Sequence, residues 1–500
     1  MNDCSAGRDG YNVNPAAALR FYGTRRFRLA GLPTLRLTVP LLLALLFVFD
    51  LPAADRAPGD AAAPAPTDIA AASPGSPEKG WDFLRNRAYL PPDFDQEDFD
   101  DLWRMWSAAD QKPVAKLSLA ERRRAIAEHY GLVLDPDTPA DEFRLLGYVK
   151  TEGGWAMNCL ACHGGVLNGT PVPGLGNNRI ALQTLTEDVR KIKLLRLKKL
   201  GHMDLAILKL PLNVTNGTTN SVIFGVVLGA LRNPDMTVDK NRPVPSLMHH
   251  DMDAPPWWRL PKKSRLYADG FAPKNHRTIM QFMMLPRHDR EVFTGWEDDF
   301  RHILAWMETV TPPRYPKPID AALAARGRQV FEQRCADCHG TYGEGGRYPE
   351  KVVSIDVVGT DRARFDSLTK EHREWMKVGW LSFFGLDLVE TEPAGYLAPP
   401  LDGIWASAPY LHNGSVPTLE HLLNSSTRPK VWRQTGTAVD YDRGGLAVET
   451  LDKVPEKLGE QERRWYFDTG LFGKSSAGHT FGDDLSGDER RALLEYLKSI

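Results

Sequence analysis

The chain has 500 residues, 62 Lys+Arg against 64 Asp+Glu, a hydrophobic fraction of 42% and 13 Trp. That length exceeds one ordinary core and points to two globular domains with extensions. The balanced charge excludes a nucleic-acid-binding protein, which would carry a basic excess.

Arg20, Arg25, Arg26, Arg28 and Arg36 precede an apolar run from Val39 to Phe49, the order of a charged and then an apolar region in an export signal. The run is shorter than the roughly 20 residues that span a bilayer, and Leu51-Pro52-Ala53-Ala54 lacks a clean Ala-x-Ala cleavage site. Residues 1–54 are read as a signal peptide or an uncleaved N-terminal anchor. Either predicts a periplasmic or secreted protein, with attachment to the inner membrane if the segment stays. Residues 55–79, rich in Ala, Pro and Asp, read as a flexible linker.

From Trp81 to Tyr148 the pattern is helical, and Ser118 with Glu121 makes a capping box that starts a helix at Leu119. An N-terminal domain over 80–311 holds Cys159-Leu160-Ala161-Cys162-His163 and then Gly164. The run Thr311-Pro312-Pro313-Arg314-Tyr315-Pro316-Lys317-Pro318 cannot continue a helix and marks the boundary. In the second domain, 319–500, Asp320 caps a helix from Ala321 to Arg334. That helix contains Gly327, suited to close approach of a second helix, and runs into Cys335-Ala336-Asp337-Cys338-His339 and Gly340. Ser486 and Glu489 form another capping box, before an amphipathic helix with Leu493, Leu494, Tyr496 and Leu497. Strand-like patterning is sparse. The expected fold class is therefore mainly α: two cytochrome c-like haem domains with long loop-rich insertions, the longest over 341–478.

The two C-x-x-C-H motifs account for four of the five cysteines. Two thiols two residues apart can each add to a vinyl group of one porphyrin while the adjacent imidazole is delivered to the iron. Zinc would need further ligands at matching spacing, and the remaining cysteine is Cys4. A redox dithiol needs no histidine after its second Cys. Two covalently bound haem c groups are expected, on Cys159, Cys162 and His163 and on Cys335, Cys338 and His339.

The stretch Leu401-Asp402-Gly403-Ile404-Trp405-Ala406-Ser407-Ala408-Pro409-Tyr410-Leu411-His412-Asn413-Gly414-Ser415, with the two haem motifs and Gly478-His479-Thr480-Phe481, resembles the dihaem cytochrome c peroxidase superfamily, and within it the dihaem rubber oxygenase branch. The resemblance implies a reactive N-terminal haem and an electron-relaying C-terminal one. Peroxidases place a Met ligand for the relay haem about two turns after the His-Asn-Gly motif; Leu422 to Thr427 contains none, and Met376 lies upstream. The resemblance offers His479 as the second ligand, with His412 as competitor or as a residue fixing the turn. An iron held by His339 and His479 would sit at a lower potential than one with a thioether ligand.

No histidine occurs between His163 and His202, so an open reactive iron is expected unless His202, His249 or His250 reaches back. Tyr267-Ala268-Asp269-Gly270 resembles the aromatic-Asp-Gly turn before the distal wall of this superfamily. Where peroxidases carry a carboxylate, this chain has Met280-Gln281-Phe282-Met283-Met284. Phe282 is the candidate catalytic-pocket residue, as an apolar wall suited to dioxygen and a hydrocarbon, or else part of a core helix. His288, Glu291 and Glu297 are near enough in sequence to supply peroxidase acid–base chemistry. Asn220, Ser407 and Pro409 match an inter-haem calcium site by resemblance, and oxygen donors suit that cation. Trp405, Trp380 and Tyr410 are candidates to assist inter-haem electron transfer, Trp405 first.

The expected function is a haem-dependent oxidoreductase that activates dioxygen or hydrogen peroxide, with a small redox protein or an apolar organic molecule as partner. The alternatives are a peroxidase-type hydrogen-peroxide reductase and a pure electron-transfer dihaem cytochrome.

Overall fold

The computed structural model describes residues 74–500 except 140, 209, 234, 240, 242–249 and 379–388. The expected signal or anchor over 1–54, most of the linker, His249 and Trp380 lie outside the described residues. No helix among the described residues is long and apolar enough to cross a membrane. The described residues belong to one compact unit.

In chain order the principal elements begin with α1 (Pro77–Asn86), capped by Ser76, and α2 (Leu119–His129), with the Ser118–Glu121 capping box. The hairpin β1 (Tyr148–Thr151) and β2 (Gly154–Met157) leads into the single turn α3 (Leu160–His163), which carries the first haem motif. A second hairpin, β3 (Gly164–Leu167) and β4 (Thr170–Pro173), follows at once. Then come α4 (Leu182–Leu195), α5 (Ser221–Ala230) and α6 (Glu297–Met307). The proline-rich run after α6 is irregular. Asp320 caps α7 (Ala321–Arg334), which ends on the second motif in α8 (Ala336–His339). The 341–478 insertion holds β5 (Val352–Ser354) paired with β6 (Gly395–Leu397), then β7 (Val431–Asp440), β8 (Gly445–Leu451) and β9 (Phe467–Asp468), with β7 in the middle of that sheet. The chain closes with α9 (Gly487–Ser499) and its Ser486–Glu489 capping box.

The mainly α expectation is corrected. Strand makes up 14% against 41% helix, spread over many small sheets. Every described pair is antiparallel, and most strands are two to four residues long. Such strands end before a two-residue period becomes visible, which is why the pattern read as loop.

Two helix crossings frame the two motifs, and both depend on a glycine. A Cβ on Gly327 of α7 would fall on the Ala492 carbonyl and lie 2.9 Å from the Tyr496 Cβ, both on α9. A Cβ on Gly80 of α1 would fall on the His302 carbonyl and lie 2.9 Å from the Trp306 Cβ, both on α6. The same one-turn spacing on the partner helix recurs, so each motif sits beside a pair of helices in backbone contact. The close approach expected at Gly327 is found, and its counterpart at Gly80 was not foreseen. Stacking of Trp81 on Trp306 (4.6 Å) and packing of Phe331 on Tyr496 (5.3 Å) fill the two crossings. Burying an aromatic ring such as Phe331, 1% exposed, contributes about 2–3 kcal/mol.

Candidate functional site

Each motif is placed by its neighbours' polar groups. Asn158 accepts from the Leu160 N–H (2.8 Å) and donates to the Leu84 and Leu146 carbonyls, fixing the start of α3. Asn177 donates to the Ala161 and Gly131 carbonyls, and its own N–H donates to the Cys162 carbonyl (2.8 Å). The turn carrying Cys159, Cys162 and His163 is therefore held from both ends. In the second motif α7 delivers Cys335 directly, and the Tyr342 hydroxyl donates to the His339 carbonyl (3.0 Å).

The two motif histidines share one arrangement. His163 Nδ1 lies 3.0 Å from the Pro255 carbonyl, and His339 Nδ1 lies 2.8 Å from the Pro399 carbonyl. A carbonyl can only accept, so Nδ1 carries the proton and the Nε2 lone pair is left for a metal. Desolvation pushes His163 down to about 4 and lowers His339 as well, so both rings are neutral at neutral pH. Trp257 stacks on the His163 ring at 4.9 Å. Pro255 and Pro399 both stand in Ala-Pro-Pro triplets, at 254–256 and 398–400. The following proline keeps each carbonyl in an extended segment and out of a helix. These acceptors were missed in the sequence, where the repeated triplet was the available signal.

The surroundings of the two motif histidines differ. The His479 ring lies 6.2 Å from that of His339, centroid to centroid, with 55° between planes. Its Nδ1 is buried with no hydrogen-bond partner. Two imidazole–metal bonds of about 2 Å each, added to the two ring radii, place centroids about 6 Å apart. The loop that carries His479 is clamped by Arg428, whose guanidinium donates to the carbonyls of His421, Leu422, Ser476, Gly478 and His479. His479 itself has φ +47°, a left-handed conformation unusual for a bulky residue. His412 stands elsewhere: its ring packs on Tyr396 at 4.5 Å, and its carbonyl accepts from the Asp253 N–H. Met376 is buried in the apolar cluster of the first motif, away from His339.

Around the first motif that cluster receives Cys159 and the Trp257 ring, and Phe282 packs against it beside buried Met280, Met283 and Met284. Of the acid–base candidates, Glu297 and His288 are occupied. Glu297 is bonded to His276 (2.6 Å) and to Arg277 (2.8 Å). His288 Nδ1 meets the Met283 carbonyl, His202 lies 3.8 Å from Asp93, and Glu291 lies in the first turn of the helix Arg290–Gly295.

Trp405 donates to the Pro313 carbonyl (3.2 Å) and packs with Trp258, which donates to the Asp402 carbonyl (2.8 Å). Trp257 and Trp258 thus join the surroundings of the first motif to the segment that holds the second. The Tyr410 hydroxyl donates to backbone carbonyls. Of the calcium candidates, Asn220 donates its amide to the Pro211 carbonyl, and Pro409 follows a cis peptide. Ser407 Oγ accepts from the Arg259 guanidinium at 2.8 Å, a fixed positive charge that disfavours a cation beside it.

The residues present fit haem c at both motifs: paired thiols beside apolar clusters, imidazoles with Nδ1 satisfied and Nε2 free, and at the second motif an orphaned buried imidazole across a gap of the right width.

The pattern of the RoxA-like, cytochrome c-like family matches residues 395–433, which include Pro399, Trp405, His412 and Arg428. Two proteins of Sinorhizobium fredii are also similar. The uncharacterized protein y4iJ is 30% identical over 260 residues, covering 38% of this chain and 41% of its own length. The uncharacterized protein y4iM is 29% identical over 252 residues, covering 44% and 56%. The chain spans about half the length of these relatives. The matched segment relates this chain to RoxA-like cytochrome c proteins and marks it as a haem c protein.

Proposed function

We propose that this chain is an exported dihaem c-type oxidoreductase of the dihaem cytochrome c peroxidase superfamily, in its rubber oxygenase-like branch. Cys159, Cys162 and His163 would hold a haem that supplies chemistry toward dioxygen or hydrogen peroxide, and Cys335, Cys338 and His339 one that would supply electron storage or relay. The observation that carries this reading is the inequality of the two motifs: His479 stands across from His339, whereas the first motif is bordered by Phe282 and its methionine neighbours.

A bound haem c supplies an iron that takes a small oxidant at an open position and exchanges single electrons. The chain's own groups do the rest. Cys159, Cys162, Cys335 and Cys338 tether the two groups. Pro255 and Pro399 set the tautomer and angle of the proximal rings. His479 closes the relay site to small molecules and favours outer-sphere transfer. Phe282, Met280 and Met283 give the reactive site an apolar wall and offer no carboxylate, which suits an apolar organic partner better than acid–base cleavage of peroxide. Trp258 and Trp405 offer an aromatic route between the two sites.

Electron paramagnetic resonance of the purified holoprotein tests this reading. One high-spin or water-ligated haem and one low-spin haem are expected. Two low-spin signals, unchanged by reduction or cyanide, would overturn it in favour of a pure electron carrier.

A further inference from the structure

The turn Tyr267–Gly270 holds one hydroxyl that no group among the described residues meets. Tyr267 adopts φ +72°, a conformation that a bulky side chain takes only when its surroundings enforce it. The enforcement is visible. Asp269 is fully buried and ion-paired with two buried guanidiniums, Arg364 at 3.2 Å and Arg373. The Ala268 carbonyl accepts from the Leu397 N–H of β6 (2.7 Å) and the Tyr267 carbonyl from the Gly270 N–H. The Tyr267 ring is stacked on Phe271 at 4.5 Å and packs against the cluster that receives Cys159 and Phe282. Its Oη is buried and makes no hydrogen bond.

A hydroxyl buried without a partner is costly, and here a strained turn locked by a doubly paired carboxylate maintains it. Burial raises the phenol far above its ordinary value, so it stays protonated and can only be read as a donor in waiting. Arg364 and Arg373 each direct a terminal nitrogen to Asp269 and not to the phenol.

We propose that the Tyr267 hydroxyl is the hydrogen-bond donor to the small oxygen-type ligand taken by the His163 haem. It gives a largely apolar pocket a polar contact and makes Tyr267 a catalytic residue. The inference rests on the reading that the His163 site has an open face.

Carbon monoxide on the reduced holoprotein, followed by infrared spectroscopy, separates the two ideas. Tyr267→Phe removes only an unpaired hydroxyl, so both haems and the low-spin signal of the His339 site should be retained. The C–O stretch should move to higher frequency because a donor is lost, and cyanide affinity of the oxidised protein should fall about tenfold. Tyr267→His, which restores a ring N–H, should recover part of both. If the unaltered protein binds carbon monoxide and Tyr267→Phe leaves the stretch and cyanide affinity unchanged, this inference falls and the open-face reading stands. If the unaltered protein binds none, both fall.

Discussion

The His339 and His479 rings stand 6.2 Å apart, centroid to centroid, and His479 Nδ1 is buried with no hydrogen-bond partner among the described residues. In the proposed function that relationship closes the His339 site. Replacing His479 by Ala should convert the relay haem from low-spin to high-spin in the visible and paramagnetic resonance spectra, and allow it to bind cyanide. His479→Met should instead raise its midpoint potential by on the order of 0.1 V, within the ~0.8 V that axial ligands command. Unchanged spectra in both variants would remove His479 from the ligand set.

Arg428 is a second, indirect handle on the same site. Its guanidinium gathers carbonyls from 421–422 and 476–479, so Arg428→Leu leaves buried acceptors unpaired and frees the His479 loop. A stability loss of about 2–4 kcal/mol is expected from the loss of charge-assisted hydrogen bonds. A mixed high-spin and low-spin relay haem should accompany it, while the His163 haem spectrum stays as it was. Denaturant titration and low-temperature resonance check the two parts separately.

Gly80 and Gly327 make matched predictions. A Val side chain at either would drive its helix off the partner backbone, costing about 3 kcal/mol by overpacking. Gly327→Val should loosen the His339 site, since α7 leads directly into Cys335, whereas Gly80→Val should disturb the apolar cluster around Cys159. Covalent haem incorporation and thermal unfolding of each variant measure this.

Asp93 sets a pH dependence. Its carboxylate is 7% exposed with neither oxygen hydrogen-bonded, and desolvation raises it from 3.8 to about 8, against a smaller pull from Lys193. Between those values the native state keeps a proton that the unfolded chain has released. Its stabilising contribution is therefore full below pH 3.8 and is lost as pH rises towards 8. His202, pushed from 6.5 down to about 4 by desolvation, has the opposite slope below 6.5, which leaves pH 6.5 to 8 as the clean window. There the unaltered protein should lose about 1 kcal/mol per pH unit relative to Asp93→Asn. Parallel stability curves for the two would contradict this.

Much of the candidate site was legible because its parts have side-chain signatures. The Cys and His spacing, the Ser118, Asp320 and Ser486 caps and the glycine at 327 each impose one local geometry. What was not legible works through the backbone. Pro255 and Pro399 orient the proximal rings with carbonyls that any residue possesses, and only the repeated Ala-Pro-Pro hints at them. The small sheets escaped for a related reason. Strands such as Thr218–Thr219 or Arg265–Leu266 are fixed by partners distant in sequence, not by their own alternation. Even the long β7–β8 hairpin shifts register between Gln434 and Val439, which breaks the two-residue period.

The central claim is that the two haem sites are unequal, one open and one closed by His479. The stoichiometry of carbon monoxide binding to the fully reduced holoprotein tests it most directly. One molecule bound for every two haems is predicted, with the unreacted half keeping a low-spin spectrum. Either no binding or binding at both haems would contradict it.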